Sequence, residues 1–306
     1  MSFHNLFFKG IDFCYEGRQN RRRCTKFTGV QFSVISDIVY DSSAPSVCRL
    51  DICKLRGAEG LPVIFYLHGG GFEAGDKHHR RALARWFATL GYAVVNVNYG
   101  LAPGCRFPAQ HRQIASALCW LHQNAANYGL DISRIVVAGD SAGAYYASFL
   151  ACLAAQPELC QKLGVRAPVK FGAALLNCGV YDMHLLATQK MLFNLGKYVF
   201  CDTTGASPAG IAKYEWRELC DIPSLVTPDF PPCMVIYSCK DILCKNQHTK
   251  LLPALRANGV PFREFSSVKL RDNHCFSLMW KSRAAKLANA AIADFLTKFK
   301  NGEQPV

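Results

Sequence analysis

Residues 134–147 read RIVVAGDSAGAYYA. An apolar run rich in β-formers leads into Gly139-Asp140-Ser141-Ala142-Gly143, and a strong helical run, AGAYYASFLACLAAQ, continues until Pro157. Gly-x-Ser-x-Gly alone is a poor witness: with glycine and serine each at ~7% usage, a chain of this size shows it by chance about once in ten. The setting says more. A tight strand-to-helix turn lifts a serine hydroxyl above the edge of a sheet, and small residues at Gly139 and Gly143 leave room for the turn. The helix N-terminus then offers an N–H and a positive dipole end to a developing oxyanion. An ordinary structural turn remains the competing reading until partners for Ser141 are found.

Working outward, short apolar runs read as strands: 34–40, 47–52, 61–67, 92–99, 134–139, 170–176, 233–238 and 262–268. The first two alternate like half-exposed strands near a sheet edge, whereas the others are continuously apolar, as suits strands covered on both faces. Helical patterns at 79–90, 108–129, 142–156, 245–259 and 278–299 lie between or after them. Such alternation predicts an α/β fold with a mainly parallel central sheet of about eight strands flanked by helices. One domain over 1–306 is expected. Residues 1–31 and 182–230 do not fit the alternation, and their aromatics (Phe7, Phe8, Phe13, Phe193, Tyr198, Phe200) suggest a small cap over a pocket, with one helical stretch at 183–200.

Half of the 306 residues are hydrophobic, enough for a large core. The first residues lack a basic region before an apolar run, so no signal peptide is expected. No stretch approaches the ~20 apolar residues of a membrane span. Fifteen cysteines, an odd number without paired metal-type spacing, argue against a disulfide framework and against a zinc site. They read as small core residues in a reducing cytoplasm, the expected location. The net charge of +13 raises nucleic acid as a partner, but beyond Arg21-Arg22-Arg23 and Arg80-Arg81 the basic residues are scattered. No recognition-helix or single-strand motif accompanies them, and a solvated surface is the better reading.

A second glycine-rich stretch bears on the chemistry. Strand LPVIFYL ends in His68-Gly69-Gly70-Gly71-Phe72. Adjacent glycines let backbone amides approach a ligand, and acyl transfer needs such donors at the carbonyl oxygen, each worth ~3 kcal/mol of barrier. The N–H groups of Gly70, Gly71 and Ala142 are the expected oxyanion hole. A phosphate loop would continue in Lys-Ser/Thr, and Phe72-Glu73-Ala74 does not. His68 reads as a structural hydrogen-bonder. A serine nucleophile also needs a base and an orienting acid, in chain order Ser, Asp/Glu, His. Of His184, His248 and His274, only the last lies in a polar loop between the final strand and final helix. Asp241, directly after strand CMVIYS, is the expected acid, with Asp182 the alternative; Asp272 is too near His274 in sequence to orient its ring.

These residues together resemble the hormone-sensitive-lipase family of α/β-hydrolase esterases. HGGGF at 68–72 is similar to its oxyanion motif, and GDSAG at 139–143 to its nucleophile elbow. NYGLAP at 98–103 with FPA at 107–109 resembles its Y-R-L-A-P-E…F-P-A stretch, and DIL at 241–243 and HCF at 274–276 its acid and base motifs. The resemblance runs in order from about 34 to 299. Gly100 and Gly104 stand where the family usually has Arg and Glu, and Ala144 follows Gly143 where a glycine is commoner. The resemblance implies a serine carboxylic-ester hydrolase with Ser141, Asp241 and His274 as triad, no cofactor and no metal, acting on small or short-acyl esters. It also implies an N-terminal contribution to the cap. A carbohydrate acetyl or feruloyl esterase on the same triad, a long-chain lipase, and a non-catalytic small-molecule receptor on the same scaffold stay open. So does the oligomeric state, a homodimer included.

Overall fold

The computed structural model describes residues 6–11, 13 and 27–306. Eight strands form one sheet in the order β1-β2-β4-β3-β5-β6-β7-β8. They are β1 (Phe32–Val39), β2 (Arg49–Leu55), β3 (Leu61–Leu67), β4 (Ala93–Val97), β5 (Leu130–Asp140), β6 (Ala173–Asn177), β7 (Cys233–Ser238) and β8 (Phe262–Ser267). Each overlaps one of the apolar runs. β1 pairs antiparallel with β2, and β2 antiparallel with β4; all other pairings are parallel. This is the α/β fold expected from the strand–helix alternation.

The two faces of the sheet follow from the period of two along each strand. Val63, Phe65, Leu67, Val95, Val97, Ile135 and Val137 point into one core, while Ile64, Tyr66, Val94, Val136, Ala138, Met234 and Ile236 point into the other. Helix α1 (Arg81–Thr89) packs Leu83 and Phe87 into the second core. Helix α2 (Ala109–Asn124) packs Ile114, Leu118 and Leu121 into the first. Helix α3 (Ala142–Ala155) is buried nearly all round, which explains its apolar composition on every face. The short α4 (Pro157–Leu163) follows it, with Pro157 at its start and Gly164 in left-handed conformation at its end. Each fully buried Leu, Val or Phe contributes about 1.5–3 kcal/mol against the entropy of ordering the chain.

Two helical expectations change. The stretch 183–200 is not one helix: α5 (Met183–Thr188) and α6 (Leu195–Thr204) are separated where Phe193 and Asn194 take left-handed backbone angles, φ 52° and 54°. A single turn, α7 (Ile222–Leu225), and helix α8 (His248–Ala257) follow. The last helix, α9 (Arg283–Lys300), begins five residues later than its apolar pattern, because Trp280 is left-handed and Ser282 caps the helix by accepting from Ala285 N–H at 3.0 Å. Of the N-terminal segment, residues 6–11 are helical and Phe8 is buried; 1–5, 12 and 14–26, with the basic run at 21–23, lie outside the described residues. Among the described residues no helix is long and apolar enough to cross a membrane.

Candidate active site

Because β3, β5, β6, β7 and β8 run parallel, their C-terminal ends share one edge. The register aligns Leu67 with Gly139, Asp140 with Asn177, and Ser238 with Ser267. Loops leaving that edge carry His68 to Gly71, Ser141, Asp241 and His274, in accord with the rule that open α/β sheets place ligands there.

Ser141 joins β5 to α3 with φ 55° and ψ −123°, a strained backbone for any non-glycine residue. What holds it there is the bond from its N–H to Asn177 O at 2.9 Å and the close packing of its neighbours. A Cβ on Gly143 would collide with Leu67 O, and one on Gly139 with the Gly143 carbonyl, so only glycine allows this turn. Beneath it, Asp140 accepts from Arg80 Nε at 2.8 Å, from Arg80 Nη2 at 2.6 Å and from Tyr66 Oη at 2.6 Å, all buried. Burial would raise the Asp140 carboxyl, but the Arg80 guanidinium and the Tyr66 hydroxyl hold it below its ordinary value. Asp140 thus anchors the turn rather than facing the cavity chemistry alone. Arg80 was not legible as its partner: it looked like half of a surface basic pair.

Gly70 and Gly71 take φ 137° and 62° and, with Ser141 and His274, line a cavity of about 40 Å³. Ala142 is the first residue of α3, so its N–H belongs to the helix end that lacks intrahelical acceptors. His68 is buried; its Nδ1 lies 2.8 Å from Gly69 O, and its ring stacks on Tyr99 at 4.5 Å. Burial pushes it down to about 4, so it stays neutral, as suits a structural residue.

Asp241 and His274 meet: Asp241 Oδ2 lies 2.8 Å from His274 Nδ1. The other carboxylate oxygen accepts from the N–H groups of Leu243 at 2.9 Å and Cys244 at 2.7 Å, which fixes the side chain. Burial works against the Asp241 charge, yet His274 and the two N–H groups keep its carboxyl below the ordinary value. Burial likewise pushes His274 down, but the Asp241 carboxylate, the Cys275 and Cys244 thiols and the hydrogen bond to Asp241 outweigh it and raise the ring well above ordinary imidazole. The alternatives are occupied elsewhere. Asp182 caps α5 by accepting from Leu185 N–H at 2.7 Å, Asp272 accepts from Ser267 Oγ at 2.8 Å, and His248 stacks on Tyr237 at 3.9 Å.

A second, smaller cavity of about 20 Å³ also borders Ser141, walled by Phe72, Val180, Leu186, Met191, Val199 and Leu243. Phe8 borders both cavities, its ring against Gly71. No sequence signal singled out Phe8 beyond its being one of several N-terminal aromatics.

A family model described as the α/β-hydrolase fold matches residues 64–276, which include all the residues above except Phe8. The chain belongs to that family, in its hormone-sensitive-lipase, carboxylesterase-type branch. Solved structures share the fold. Esterase B from Lactobacillus rhamnosis is 22% identical with TM-score 0.78, over 97% of this chain and 96% of that one. The same enzyme with a C4-C4 SN3 tributyrin phosphonate inhibitor is 23% identical with TM-score 0.74, over 96% and 97%. A bacterial heroin esterase is 22% identical with TM-score 0.70, over 94% and 93%.

Proposed function

We propose that the protein is a serine carboxylic-ester hydrolase that works through an acyl-enzyme. The observation that carries this reading is the Asp241–His274 pair facing one cavity with the strained Ser141 and the glycines of the β3 loop. Ser141 Oγ attacks the ester carbonyl while His274 takes its proton, and Asp241 holds the ring and offsets the imidazolium charge. The N–H groups of Gly70, Gly71 and Ala142 receive the oxyanion. His274 then protonates the departing alcohol and, after acylation, activates the water that releases the acid. No step requires a cofactor.

The cavities support a preference for small substrates. Those bordering Ser141 are small, roughly 40 and 20 Å³, which favours short acyl groups over long chains. The related esterase B, inhibited by a tributyrin phosphonate, supports short acyl groups. The described part of the N-terminal segment and residues 182–230 act as the cap, through Phe8, Leu186, Met191 and Val199.

The experiment is hydrolysis of a nitrophenyl ester series from acetate to decanoate, with fluorophosphonate labelling of the same preparation. Activity is expected to fall steeply beyond the short chains. Ser141→Ala is expected to lose about 10⁶-fold in kcat together with the label. A Ser141→Ala protein that keeps its turnover refutes the assignment, and a wild type that neither hydrolyses nor labels points to a receptor instead.

A further inference from the structure

We propose that Cys178, His274 and Cys275 form a binding site for one soft divalent cation of the zinc class, and that its occupation switches the hydrolase off. The Sγ atoms of the two cysteines and a ring nitrogen of His274 all lie within 4.8 Å of one another. In a tetrahedral zinc site, with Zn–S of ~2.3 Å and Zn–N of ~2.0–2.1 Å, neighbouring ligand atoms stand roughly 3.5–3.8 Å apart. Closing the cluster onto a cation therefore shortens any one separation by at most about 1.3 Å, within reach of side-chain rotation. Two thiolates and an imidazole are a donor set that zinc favours over magnesium or calcium.

The surroundings also suit the ion. Cys178 and Cys275 are 2% and 3% exposed, where a bare divalent charge would be costly, but two thiolates neutralise it. The reaction is a ligand exchange without oxidation: two S–H bonds break, two S–metal bonds form, and two protons leave to solvent. Cys275 and His274 both border the cavity beside Ser141, which gives an entry path and room for a water as fourth ligand. Asp241, Cys244 and His274 form a second cluster of the same spacing. A cation there would compete with the Asp241 Oδ2–His274 Nδ1 bond of 2.8 Å, a charge-assisted contact, whereas thiols surrender only weak hydrogen bonds. Cysteine spacing along the chain argues against zinc, but it is blind to a thiol at the end of β6 meeting another in the loop after β8.

Inhibition follows from the electron count of imidazole. A neutral ring has one lone pair, and whichever nitrogen carries it, a cation that takes it leaves no site for the Ser141 proton. The inhibitory half of the proposal rests on His274 being the general base; the binding half does not.

The test uses the full chain under a phosphine reductant. Cobalt(II) is added and thiolate-to-cobalt charge-transfer absorption is followed; separately, zinc is titrated against nitrophenyl acetate hydrolysis and then removed with EDTA. Expected are one cobalt equivalent with thiolate absorption and more than tenfold loss of activity with zinc, restored by EDTA. In Cys178→Ser and Cys275→Ser, each compared with its own metal-free rate, the inhibitory concentration should rise by more than the about 10–100-fold typical of losing a mere supporting group. Should Cys275→Ser fold poorly, Cys178→Ser and Cys178→Ala carry the test alone, by absorption and by inhibition. Absence of the cobalt band overturns the site whether or not the protein proves to be an esterase. Zinc inhibition undiminished in the Cys178 variants overturns it too, as does activity loss that EDTA fails to reverse.

Discussion

Replacing Asp241 by Asn exchanges one oxygen for an amide nitrogen, and the surrounding bonds dictate which way that amide must turn. Asp241 Oδ1 accepts from Leu243 N–H at 2.9 Å and Cys244 N–H at 2.7 Å. Both are donors, so the Asn carbonyl oxygen has to stay there and the NH₂ group has to face His274 Nδ1, now 2.8 Å from Oδ2. An NH₂ donates where a carboxylate accepts. Nδ1 must then carry the lone pair, which moves the ring proton to Nε2 and leaves nothing to receive the Ser141 proton. A wrong tautomer of this kind costs ~10⁴ in kcat, equivalent to about 5 kcal/mol of barrier. The ring does not hold the ground-state ester, so KM should change little. The assay is steady-state hydrolysis of nitrophenyl acetate, with thermal melting to show that the variant is folded. A folded Asp241→Asn protein that loses less than about tenfold in kcat would refute the coupling of this pair to Ser141.

Three further outcomes follow from the buried charges. Burial lowers His274, but Asp241 and the nearby thiols raise it well above ordinary imidazole, so the rising limb of kcat/KM against pH should lie on the alkaline side of ~6.5. A limb at or below that value contradicts the reading. The same pair is linked to stability: the raised His274 contributes fully below ~6.5 and is lost as pH rises through its folded value, while the lowered Asp241 contributes above ~3.9 and is lost as pH falls. Urea midpoints should therefore be highest between those limits so far as this pair is concerned. Arg80→Met leaves the Asp140 carboxylate buried with Tyr66 as its one remaining hydrogen-bond donor among the described residues, which should cost about 3–5 kcal/mol and lower Tm by roughly 5–8 °C. Adding Asp140→Asn should recover at least half of the loss; a double variant as unstable as Arg80→Met would show that the charge is not the cause.

Much of this molecule was local enough to read along the chain. The central strands announce themselves by runs of β-formers, since β3, β4, β6 and β7 are covered on both faces, whereas β1 and β8 lie at the sheet edges and are largely exposed. The elbow at 139–143 and the glycines at 69–71 are legible because the backbone conformations they serve exclude a side chain. Asp241 and His274 are readable as candidates by position, each in a loop after a strand, and the parallel sheet brings those loops together. The break in 183–200 is not legible, because Phe193 carries no mark of a left-handed angle, and Asn194, although asparagine tolerates that region, sits within an otherwise helical pattern.

What the chain decided by itself, then, is the list of elements and the order of the chemical groups, both properties of spans of a few residues. Tertiary structure alone decided the pairings across long separations. It turned Arg80 from a surface charge into the buried partner of Asp140, and it brought Phe8 over the cavities beside Ser141. It also set Cys178 against Cys275 and His274. Such contacts depend on strand order and loop closure, and a thiol or a guanidinium carries no mark of which distant neighbour it will meet.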